Sequence, residues 1–468
     1  MKYVSTRGDA PVLDFSGALL TGMAIDGGLY VPDSWPSLTA DQLARFRTSQ
    51  YHEVAAEVIG LFVEGSAIEQ TDLAQMTEAA YATFRHPEVV PTRQISEDEH
   101  LLELFWGPTL SFKDVAMQLL GRLFEHELGR TGRTLTIVAA TSGDTGSAAI
   151  EACRDRAGIE LVMLHPNGRV SEVQRRQMTT VLSPNIHNVG VDGTFDDCQD
   201  LVKAMFGDRP FRDEMRLGAV NSINWARVSA QVVYYVVSSV KLSDQYKAKV
   251  SYTVPTGNFG NILAANIART MGAPIDRLVI AANSNDILPR THESGEMAMD
   301  SVVATSSPAM DIQVSSNFER LLFELFERDG KALADAMRAF RSEGVMRLDS
   351  AQLVALQDGF GAGHATESEV NDTIAEVYEQ CGTVIDPHTA VAVSVGRKNR
   401  AESGPMVYVA SAHPAKFGDA VEAAIGIEPQ LPPHLSDLLD RPEKCEVVDP
   451  DLGSMERYVR SVALPSAS

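Results

Sequence analysis

From about residue 100 onward, the sequence alternates between short apolar segments typical of strands and longer segments whose apolar residues recur at helical spacing. The predicted strands are LLELFW, TLTIVAA, IELVMLH, NIHNVGV, VSYTVPT and RLVIAAN. The predicted helices are the segment after Lys113, GSAAIEACRDR, VSEVQRRQMTT, FDDCQDLVKAMF and NILAANIART. The segments that continue the alternation are TVIDP, HTAVAVSVGRK and PMVYVASA. Strands that alternate with helices predict parallel sheets covered on both faces, and therefore an α/β fold.

The first 94 residues follow a different pattern. Short turns precede helical segments, namely TADQLARF, YHEVAAEVIGLFV and TDLAQMTEAAYATF. This pattern predicts a mostly helical N-terminal domain over residues 1–94. Residues 284–316 show little periodicity of either kind, and we interpret them as a mobile loop or lid, or as an ordinary insertion.

The formal net charge of −23 limits the partners of this chain. Phosphate-rich surfaces are repelled by an acidic protein, so we expect no nucleic-acid partner and no membrane partner. A small anionic ligand is still compatible, because one local pocket can be positive. The 468 residues, 44% hydrophobic and 22% charged, are typical of a globular protein with two or three domains.

The sequence also indicates a compartment. The four cysteines are isolated and form no C-x-x-C pair, as is common in reducing compartments. The N-terminal segment lacks the apolar core of a secretion signal. The longest apolar stretch, VSAQVVYYVVSSV, is interrupted by polar residues and is shorter than the ~20 residues of a membrane span. We therefore predict a cytoplasmic protein.

One lysine has an unusual setting. Lys113 lies in GPTLSFKDVAMQ, between a Gly-Pro turn and a helix with apolar residues at helical spacing. Lysines are usually solvated, so a lysine at the start of a buried helix suggests a functional amine. In an α/β sheet, ligands bind beyond the carboxyl ends of strands, and turns elsewhere in the chain have the same placement.

The turn TSGDTGS, residues 141–147, joins a predicted strand to a predicted helix. It offers the hydroxyl groups of Thr141, Ser142 and Thr145 together with free backbone N–H groups, which suits a bound anion. The alternative interpretation is a simple N-capped helix with Asp144 or Thr145 as the cap.

The turn PTGNFGN, residues 255–261, places two glycines at a helix N-terminus. Successive N–H groups in such a turn converge on an anion and favour a phosphate cradle. The turn is neither a Walker loop, since the Gly-Lys-Ser/Thr ending is missing, nor a dinucleotide G-x-G-x-x-G motif.

A second anion site is indicated at AVNSINWARVSAQ, residues 219–231, where Asn221 and Ser222 precede a helix that carries Arg227. An arginine beside amides and a hydroxyl can hold a phosphate in a forked manner, although an ordinary surface ion pair is the alternative. In YVASAHPAKFGDA, Ser411 follows an apolar strand. A lone histidine such as the nearby His413 is more often structural than catalytic, and the sequence leaves its role open. The segment DPHTA, residues 386–390, reads as a turn near the site.

Several active-site patterns are absent from the sequence. It contains no H-E-x-x-H motif and no G-x-S-x-G elbow, and its 11 histidines are dispersed without metal-ligand spacing, so no metal is expected. What is left is a buried-looking lysine, a phosphate cradle, a hydroxyl-rich turn and a second anion site. This combination suits an enzyme that holds pyridoxal 5'-phosphate through a lysine imine.

The motifs GPTLSFKDVAMQ, TSGDTGSAA, PTGNFGN and SAHPAKF together resemble the threonine synthase family, whose fold is shared with the tryptophan synthase β-subunit. The similarity includes YVSTRG, AIDGGLYVP, GRVSEVQRRQMTT, SPAMDI and SNFERLL, and so extends over nearly the whole chain. The resemblance implies two parallel-sheet α/β domains beside the helical N-terminal domain. By this resemblance the cofactor domain comprises residues 95–125 and 218–468, and the smaller domain comprises residues 126–217.

The resemblance also implies an activity: O-phospho-L-homoserine and water are converted to L-threonine and phosphate. Lys113 is expected to form the imine, and Ser411 to face the pyridine nitrogen, where the family more usually has threonine. The residues expected to hold the cofactor phosphate are Gly257, Asn258, Phe259, Gly260 and Asn261. Those expected to hold the substrate carboxylate are Thr141, Ser142, Asp144 and Thr145. Those expected to hold the substrate phosphate are Asn221, Ser222 and Arg227.

Two alternatives stay open at this stage. Another lyase of the same fold, either a serine or threonine dehydratase or a phospho-amino-acid lyase, would share the lysine and the glycine turn. A non-catalytic sensor of a phosphate ligand could also keep the fold. The sequence leaves the oligomeric state open between a monomer and a homodimer.

Overall fold

The computed structural model describes residues 1–400 and 403–463. The N-terminal unit lies wholly within these ranges and places a pair of short antiparallel strands beside a group of helices. Its elements are β1 (Tyr3–Ser5), α1 (Phe15–Thr21), β2 (Tyr30–Pro32), α2 (Ala40–Phe46), α3 (Tyr51–Val63) and α4 (Gln70–Tyr81). The mostly helical character predicted for this region is confirmed.

The next part of the chain begins a large sheet and then builds a small one. The elements that begin the large sheet are β3 (Thr92–Gln94), β4 (Glu99–Glu103) and α5 (Lys113–Thr131). The elements of the small sheet and its helical cover are β5 (Leu135–Ala140), α6 (Asp144–Cys153), β6 (Ile159–Pro166), α7 (Glu172–Thr179), β7 (Ile186–Val191), α8 (Phe195–Gly207), α9 (Arg209–Met215) and β8 (Leu217–Gly218).

The rest of the chain returns to the large sheet. Its helices and strands are α10 (Trp225–Tyr246), β9 (Val250–Pro255), α11 (Gly260–Thr270), β10 (Ile275–Ala282), α12 (Ile287–Ser294), β11 (Glu296–Ala298), α13 (Phe318–Leu325), α14 (Gly330–Glu343), β12 (Val345–Arg347), α15 (Ser350–Gly359), β13 (Gly361–His364), α16 (Glu367–Cys381), α17 (Pro387–Lys398), β14 (Met406–Ala410), α18 (Gly418–Ile425), β15 (Glu446–Val448) and α19 (Leu452–Val462). Short 3-10 helices lie at Pro308–Met310, Pro414–Phe417, Pro433–Leu435 and Leu438–Asp440.

The order of the strands positions the site. In the large sheet the described strands run β13-β10-β9-β14-β4-β3 and are parallel except for the β3–β4 pair. In the small sheet they run β15-β7-β6-β5-β8 and are all parallel. The predicted α/β fold with two parallel sheets is confirmed. Because β9, β14 and β4 are neighbours, the turns that follow them lie side by side at the carboxyl edge of the large sheet.

Helix α10 lies inside the molecule and contacts α3, α5 and α11. Most of its side chains are buried, including Val232, Val236 and Val240. This explains the longest apolar stretch of the sequence, since a helix covered by protein on every side is apolar all round. None of the described helices combines the length and the apolar character that crossing a bilayer requires.

One predicted strand is absent from the structure, and one observed strand was not predicted. The segment TVIDP forms no strand, and it leads instead into Asp386, whose carboxylate caps α17. Strand β13 has the sequence GAGH, which carries no apolar run, yet it pairs with the edge of β10. Residues 284–316, predicted to lack regular structure, contain α12, β11 and a 3-10 helix.

The C-terminal region contributes to the small sheet. Strand β15 pairs in parallel with β7, so that Glu446 lies opposite Val189. Helix α19 buries Met455 and Val459 in the core of the small sheet. The predicted boundaries assign this region to the cofactor domain, 95–125 and 218–468, whereas its packing joins it to the unit of residues 126–217. The physical reason is that β7 has a free edge, which a late segment of the chain covers.

Candidate active site

The turns singled out in the sequence converge on one cavity between the carboxyl ends of the two sheets. Among the predicted site residues, those that line it are Lys113, Asp144, Thr145, Ser222, Arg227, Gly257, Asn258, Phe259, Gly260, Asn261 and Ser411. Three other predicted site residues, Thr141, Ser142 and Asn221, do not line it.

The side chain of Thr141 is turned into its own loop. Its Oγ1 accepts hydrogen bonds from the backbone N–H groups of Gly143 at 3.0 Å and Gly146 at 2.9 Å. This hydroxyl therefore caps the first turn of α6. Neither Asp144 nor Thr145 is the side-chain cap of this helix. Ser142 and Asn221 are exposed at the surface.

The turn before Lys113 is fixed by a buried carboxylate. Asp114 accepts hydrogen bonds from the backbone N–H of Thr109 at 2.8 Å and from its hydroxyl at 2.6 Å. The backbone N–H of Phe112 donates to the carbonyl of Ser411 at 2.8 Å, which ties the turn after β4 to the turn after β14. The start of α5 is thereby held at the cavity wall, with Lys113 as its first residue.

Lys113 is only 8% exposed. Its Nζ lies 3.2 Å from Oδ2 of Asp144 and 5.2 Å from the centre of the Phe112 ring. Burial lowers the pKa of the Lys113 amine below its ordinary value; the attraction of Asp144 opposes this effect, and the positive charges of Lys416 and Arg227 add to it. The amine is therefore easier to deprotonate than that of a surface lysine.

The carboxylate of Asp144 has further partners. Its Oδ1 lies 2.8 Å from Nζ of Lys416 and accepts a hydrogen bond of 2.8 Å from Nε2 of Gln174. Burial alone would raise the pKa of Asp144, but the charges of Lys113 and Lys416 outweigh it, and the pKa lies below its ordinary value. Asp144 is therefore an ionised group with fixed partners.

The glycine turn after β9 is closely packed. A Cβ on Gly257 would lie 2.6 Å from the carbonyl oxygen of Ala309, so only glycine fits there. Phe259, the residue before α11, has a φ of 61° in the left-handed region. Ser315 donates to the carbonyl of Gly257 at 2.7 Å, which fixes the turn from behind. The N–H groups at the start of α11 are thus left facing the cavity.

Asn261 adds an amide donor to this turn. Its Oδ1 accepts hydrogen bonds from the hydroxyls of Tyr234 at 2.6 Å and Tyr235 at 2.7 Å. Its buried Nδ2 has no hydrogen-bond partner among the described residues. A buried amide donor without a partner, beside a helix N-terminus, fits a bound anion.

Arg227 presents a second cation to the cavity. It lies in the first turn of α10 and is 4% exposed. Its Nη1 donates to the carbonyl of Val220 at 3.0 Å, while its Nε has no partner among the described residues. Burial lowers the pKa of Arg227 to about 10. A buried guanidinium with an unused donor is suited to a second anion.

A histidine–aspartate pair that sequence reasoning treated only as a turn also reaches the cavity. The Nδ1 of His388 lies 2.7 Å from Oδ2 of Asp386. Because a carboxylate only accepts, Nδ1 carries the hydrogen and Nε2 is left as the free nitrogen. That Nε2 is buried and has no partner among the described residues, and His388 lines the cavity. The sequence feature that could have identified this pair is the aspartate two residues before the histidine.

The sequence left the role of His413 open, and in the structure this residue caps a helix. Its Nδ1 accepts a hydrogen bond of 3.2 Å from the N–H of Ala415 and caps the short helix Pro414–Phe417. Burial lowers the pKa of His413 to about 4. Lys416, in the same helix, was not singled out by sequence reasoning although its setting after a buried strand is as unusual as that of Lys113.

A parallel α/β fold with a buried lysine and a phosphate-type turn at the carboxyl edge of its sheet defines a class of enzyme. Residues 100–351 match the family model described as a pyridoxal-phosphate dependent enzyme. The chain is accordingly an enzyme that uses pyridoxal 5'-phosphate, and the amine of Lys113, the glycine turn and the free amide of Asn261 fit this cofactor.

Two further models narrow the class: residues 2–81 match the threonine synthase N terminus and residues 389–459 match the threonine synthase C-terminal model. The chain is 48% identical to the threonine synthase of Pseudomonas aeruginosa, covering 98% of both chains. The pyridoxal-phosphate-bound threonine synthase of Brucella melitensis has a TM-score of 0.97 at 50% identity, covering 99% of this chain and 100% of that one. The yeast enzyme has a TM-score of 0.94 at 37% identity, covering 98% of each. The chain belongs to the threonine synthase family of lyases.

Proposed function

We propose that the chain converts O-phospho-L-homoserine and water into L-threonine and phosphate by γ-elimination of phosphate and β-addition of water. The observation that carries this proposal is the presence in one cavity of a buried amine, Lys113, and two separate places for anions. The glycine turn suits the cofactor phosphate, and Arg227 suits a second phosphate, which a substrate such as serine or threonine does not carry.

The cofactor is held by groups from three elements. The turn Gly257–Asn261 supplies backbone N–H groups and the free amide of Asn261 to the cofactor phosphate. Lys113 would provide the attachment, and by the family resemblance the Ser411 hydroxyl would face the pyridine nitrogen. When bound, pyridoxal phosphate supplies an electron sink for negative charge that develops on substrate carbon. A neutral hydroxyl at Ser411 cannot force the ring nitrogen to stay protonated as a carboxylate would.

Lys113 is the principal base of the reaction. Because burial lowers its pKa, the free amine of Lys113 gives up its proton more readily than the amine of a surface lysine. The amine takes the proton from Cα and afterwards a proton from Cβ. One amine can do both because the two carbons are adjacent. Phosphate leaves from Cγ towards Arg227, whose charge compensates that of the leaving group.

The substrate carboxylate meets the start of α6. The side chain of Asp144 is less suited to this carboxylate than the family resemblance implies, because it carries the same charge and already pairs with Lys113 and Lys416. A carboxylate cannot donate a hydrogen bond to another carboxylate. The backbone N–H groups of the turn and the hydroxyl of Thr145 are the groups that can bind it.

The test is product analysis with the full-length protein. Incubation with pyridoxal phosphate and O-phospho-L-homoserine is expected to give L-threonine and phosphate in equal amounts, while L-threonine supplied alone gives no keto acid. Lys113→Ala is expected to lose turnover and the absorbance band of lysine-bound cofactor. Lys203→Ala, in which the altered side chain is 68% exposed, serves as the control and should match the wild type.

Two other outcomes would contradict the proposal. Keto acid formed from threonine, without turnover of phosphohomoserine, would make the chain a dehydratase of the same fold. A wild-type protein that shows no band of lysine-bound cofactor would support the sensor interpretation.

A further inference from the structure

Lys416 is a buried cation that does not line the cavity. Its side chain is fully shielded from solvent. Among the described residues, its Nζ contacts two acceptors: Oδ1 of Asp144 at 2.8 Å and the carbonyl of Thr109 at 2.7 Å. The carbonyl belongs to the turn before Lys113, and the carboxylate is the one that pairs with Lys113. Lys416 therefore contacts both supports of the reacting amine without contacting the amine itself.

The two lysines share one carboxylate unequally. Lys416 and Gln174 occupy Oδ1 of Asp144, each at 2.8 Å. Lys113 is left with Oδ2 at the longer distance of 3.2 Å. A carboxylate whose charge is divided between two ammonium groups attracts each of them less strongly than it would attract one alone.

We propose that Lys416 is a positioning residue which, by holding one oxygen of Asp144, weakens the hold of this carboxylate on Lys113 and keeps the Lys113 amine available as nucleophile and base. The inference deepens the proposed function, since it rests on Lys113 being the reacting amine. Burying a second lysine carries a desolvation penalty, and an apolar side chain of similar length would fill the same space without that penalty. A charge at this position despite the desolvation penalty points to an electrostatic role.

The charged and titratable groups that face Lys113 come from four elements. Asp144 comes from the start of α6, Lys416 from the 3-10 helix after β14, Arg227 from α10 and His388 from α17. Lys416 and Arg227 are cations and Asp144 is an anion, so these three groups give the ammonium form of Lys113 a net positive surrounding. This agrees with the direction of its pKa, which lies below the ordinary value, with burial as the largest cause.

The experiment measures the protonation of Lys113 directly in the full-length chain after removal of the cofactor. Trace acetylation at a series of pH values, followed by mass spectrometry of the peptide that contains Lys113, gives the midpoint of its titration. Lys416→Met is expected to raise this midpoint by roughly one pH unit or more, because it removes a nearby cation and leaves Asp144 to Lys113 alone. Asp144→Asn is expected to move it in the opposite direction.

Control variants separate charge from packing. Lys416→Arg keeps the charge and should leave the midpoint close to that of the wild type. Lys416→Gln keeps a hydrogen-bond donor for Thr109 without the charge and should raise the midpoint as Lys416→Met does.

An unchanged or lowered midpoint in both neutral variants would overturn the proposal, and so would loss of folding in both, which would assign Lys416 to stability. The outcome is independent of product analysis. A wild-type protein that forms no threonine contradicts the proposed function even if the midpoint of Lys113 shifts as expected.

Discussion

At the scale of single residues, Arg227 is the group that we propose binds the substrate phosphate, which an unphosphorylated amino acid lacks. Its guanidinium is buried and keeps an unused donor. Arg227→Ala is expected to raise KM for O-phospho-L-homoserine and lower kcat/KM roughly 10- to 100-fold, since hydrogen bonds to charged groups contribute about 1.5–3 kcal/mol. Steady-state kinetics with phosphohomoserine provide the measurement.

The matched control is Arg227→Lys, which keeps the charge but loses the forked geometry. It should give an intermediate kcat/KM. If Arg227→Ala left both KM and kcat unchanged, Arg227 would not belong to the phosphate site.

His388 offers a second group for proton transfer, because the reaction moves more protons than those at Cα. Asp386 fixes its tautomer and leaves Nε2 free in the cavity wall. His388→Asn is expected to lower kcat by about 10²-fold, the lower end of what a general acid–base group contributes, with the cofactor still bound.

Asp386→Asn tests the orientation of the same imidazole. Asparagine still caps α17 but no longer fixes the tautomer, so kcat should fall while folding is retained. If His388→Asn kept the kcat of the wild type, the imidazole would have no role in proton transfer.

At the scale of elements, the short helix Pro414–Phe417 makes the stability of the protein depend on pH. Its cap, His413, has a folded-state pKa of about 4 against an ordinary value near 6.5. The unfolded chain therefore binds the proton more tightly, so this residue's contribution to the free energy of unfolding is complete above pH 6.5 and is lost as pH falls towards 4. Because His413 is partly exposed, we expect a loss of about 1–2 kcal/mol rather than the full value of the shift.

His413→Asn is the variant that isolates this effect. Asparagine is also a good N-cap but does not titrate. Urea-unfolding midpoints measured between pH 4 and pH 7 should fall less steeply in the variant than in the wild type. Equal slopes in the two proteins would show that His413 is not the group responsible.

At the scale of the whole molecule, a buried ion pair joins the N-terminal unit to the rest. Arg7 donates from Nε and Nη2 to the two oxygens of Glu319 at 3.0 and 2.8 Å, and the hydroxyl of Thr6 donates to the same carboxylate at 2.7 Å. Glu319→Gln leaves the buried guanidinium unpaired, which is expected to lower the free energy of unfolding by about 3–5 kcal/mol. Chemical denaturation provides the measurement.

The same helix supplies the control for this prediction. Glu324 pairs with Arg328 on a partly exposed face of α13, so Glu324→Gln should change the free energy of unfolding by no more than about 1 kcal/mol. Equal effects of the two substitutions would mean that burial does not strengthen the Arg7–Glu319 pair.

Much of the fold and of the site could be predicted from local patterns. Periodicity identified the main strands and helices, and the glycine turn and Lys113 were recognisable because their residue types are unusual at strand–helix junctions. The strand β13 was missed because its sequence GAGH has no apolar run. It forms because it can pair with the edge of β10. Thr141 was expected at the ligand, but its hydroxyl bonds within its own turn.

The sequence by itself determined the class of fold, the cofactor and the family, since each is encoded in a short segment or in the ordered set of such segments. Only the tertiary structure decided that β15 joins the small sheet, that Tyr234 and Tyr235 bind one oxygen of Asn261 and leave its amide free, and that Lys416 shares Asp144 with Lys113. Periodicity indicates whether a residue lies on the buried face of its own helix or strand. It does not report which distant residue lies opposite, and the charge and hydrogen-bonding state of each group in this cavity depend on that partner.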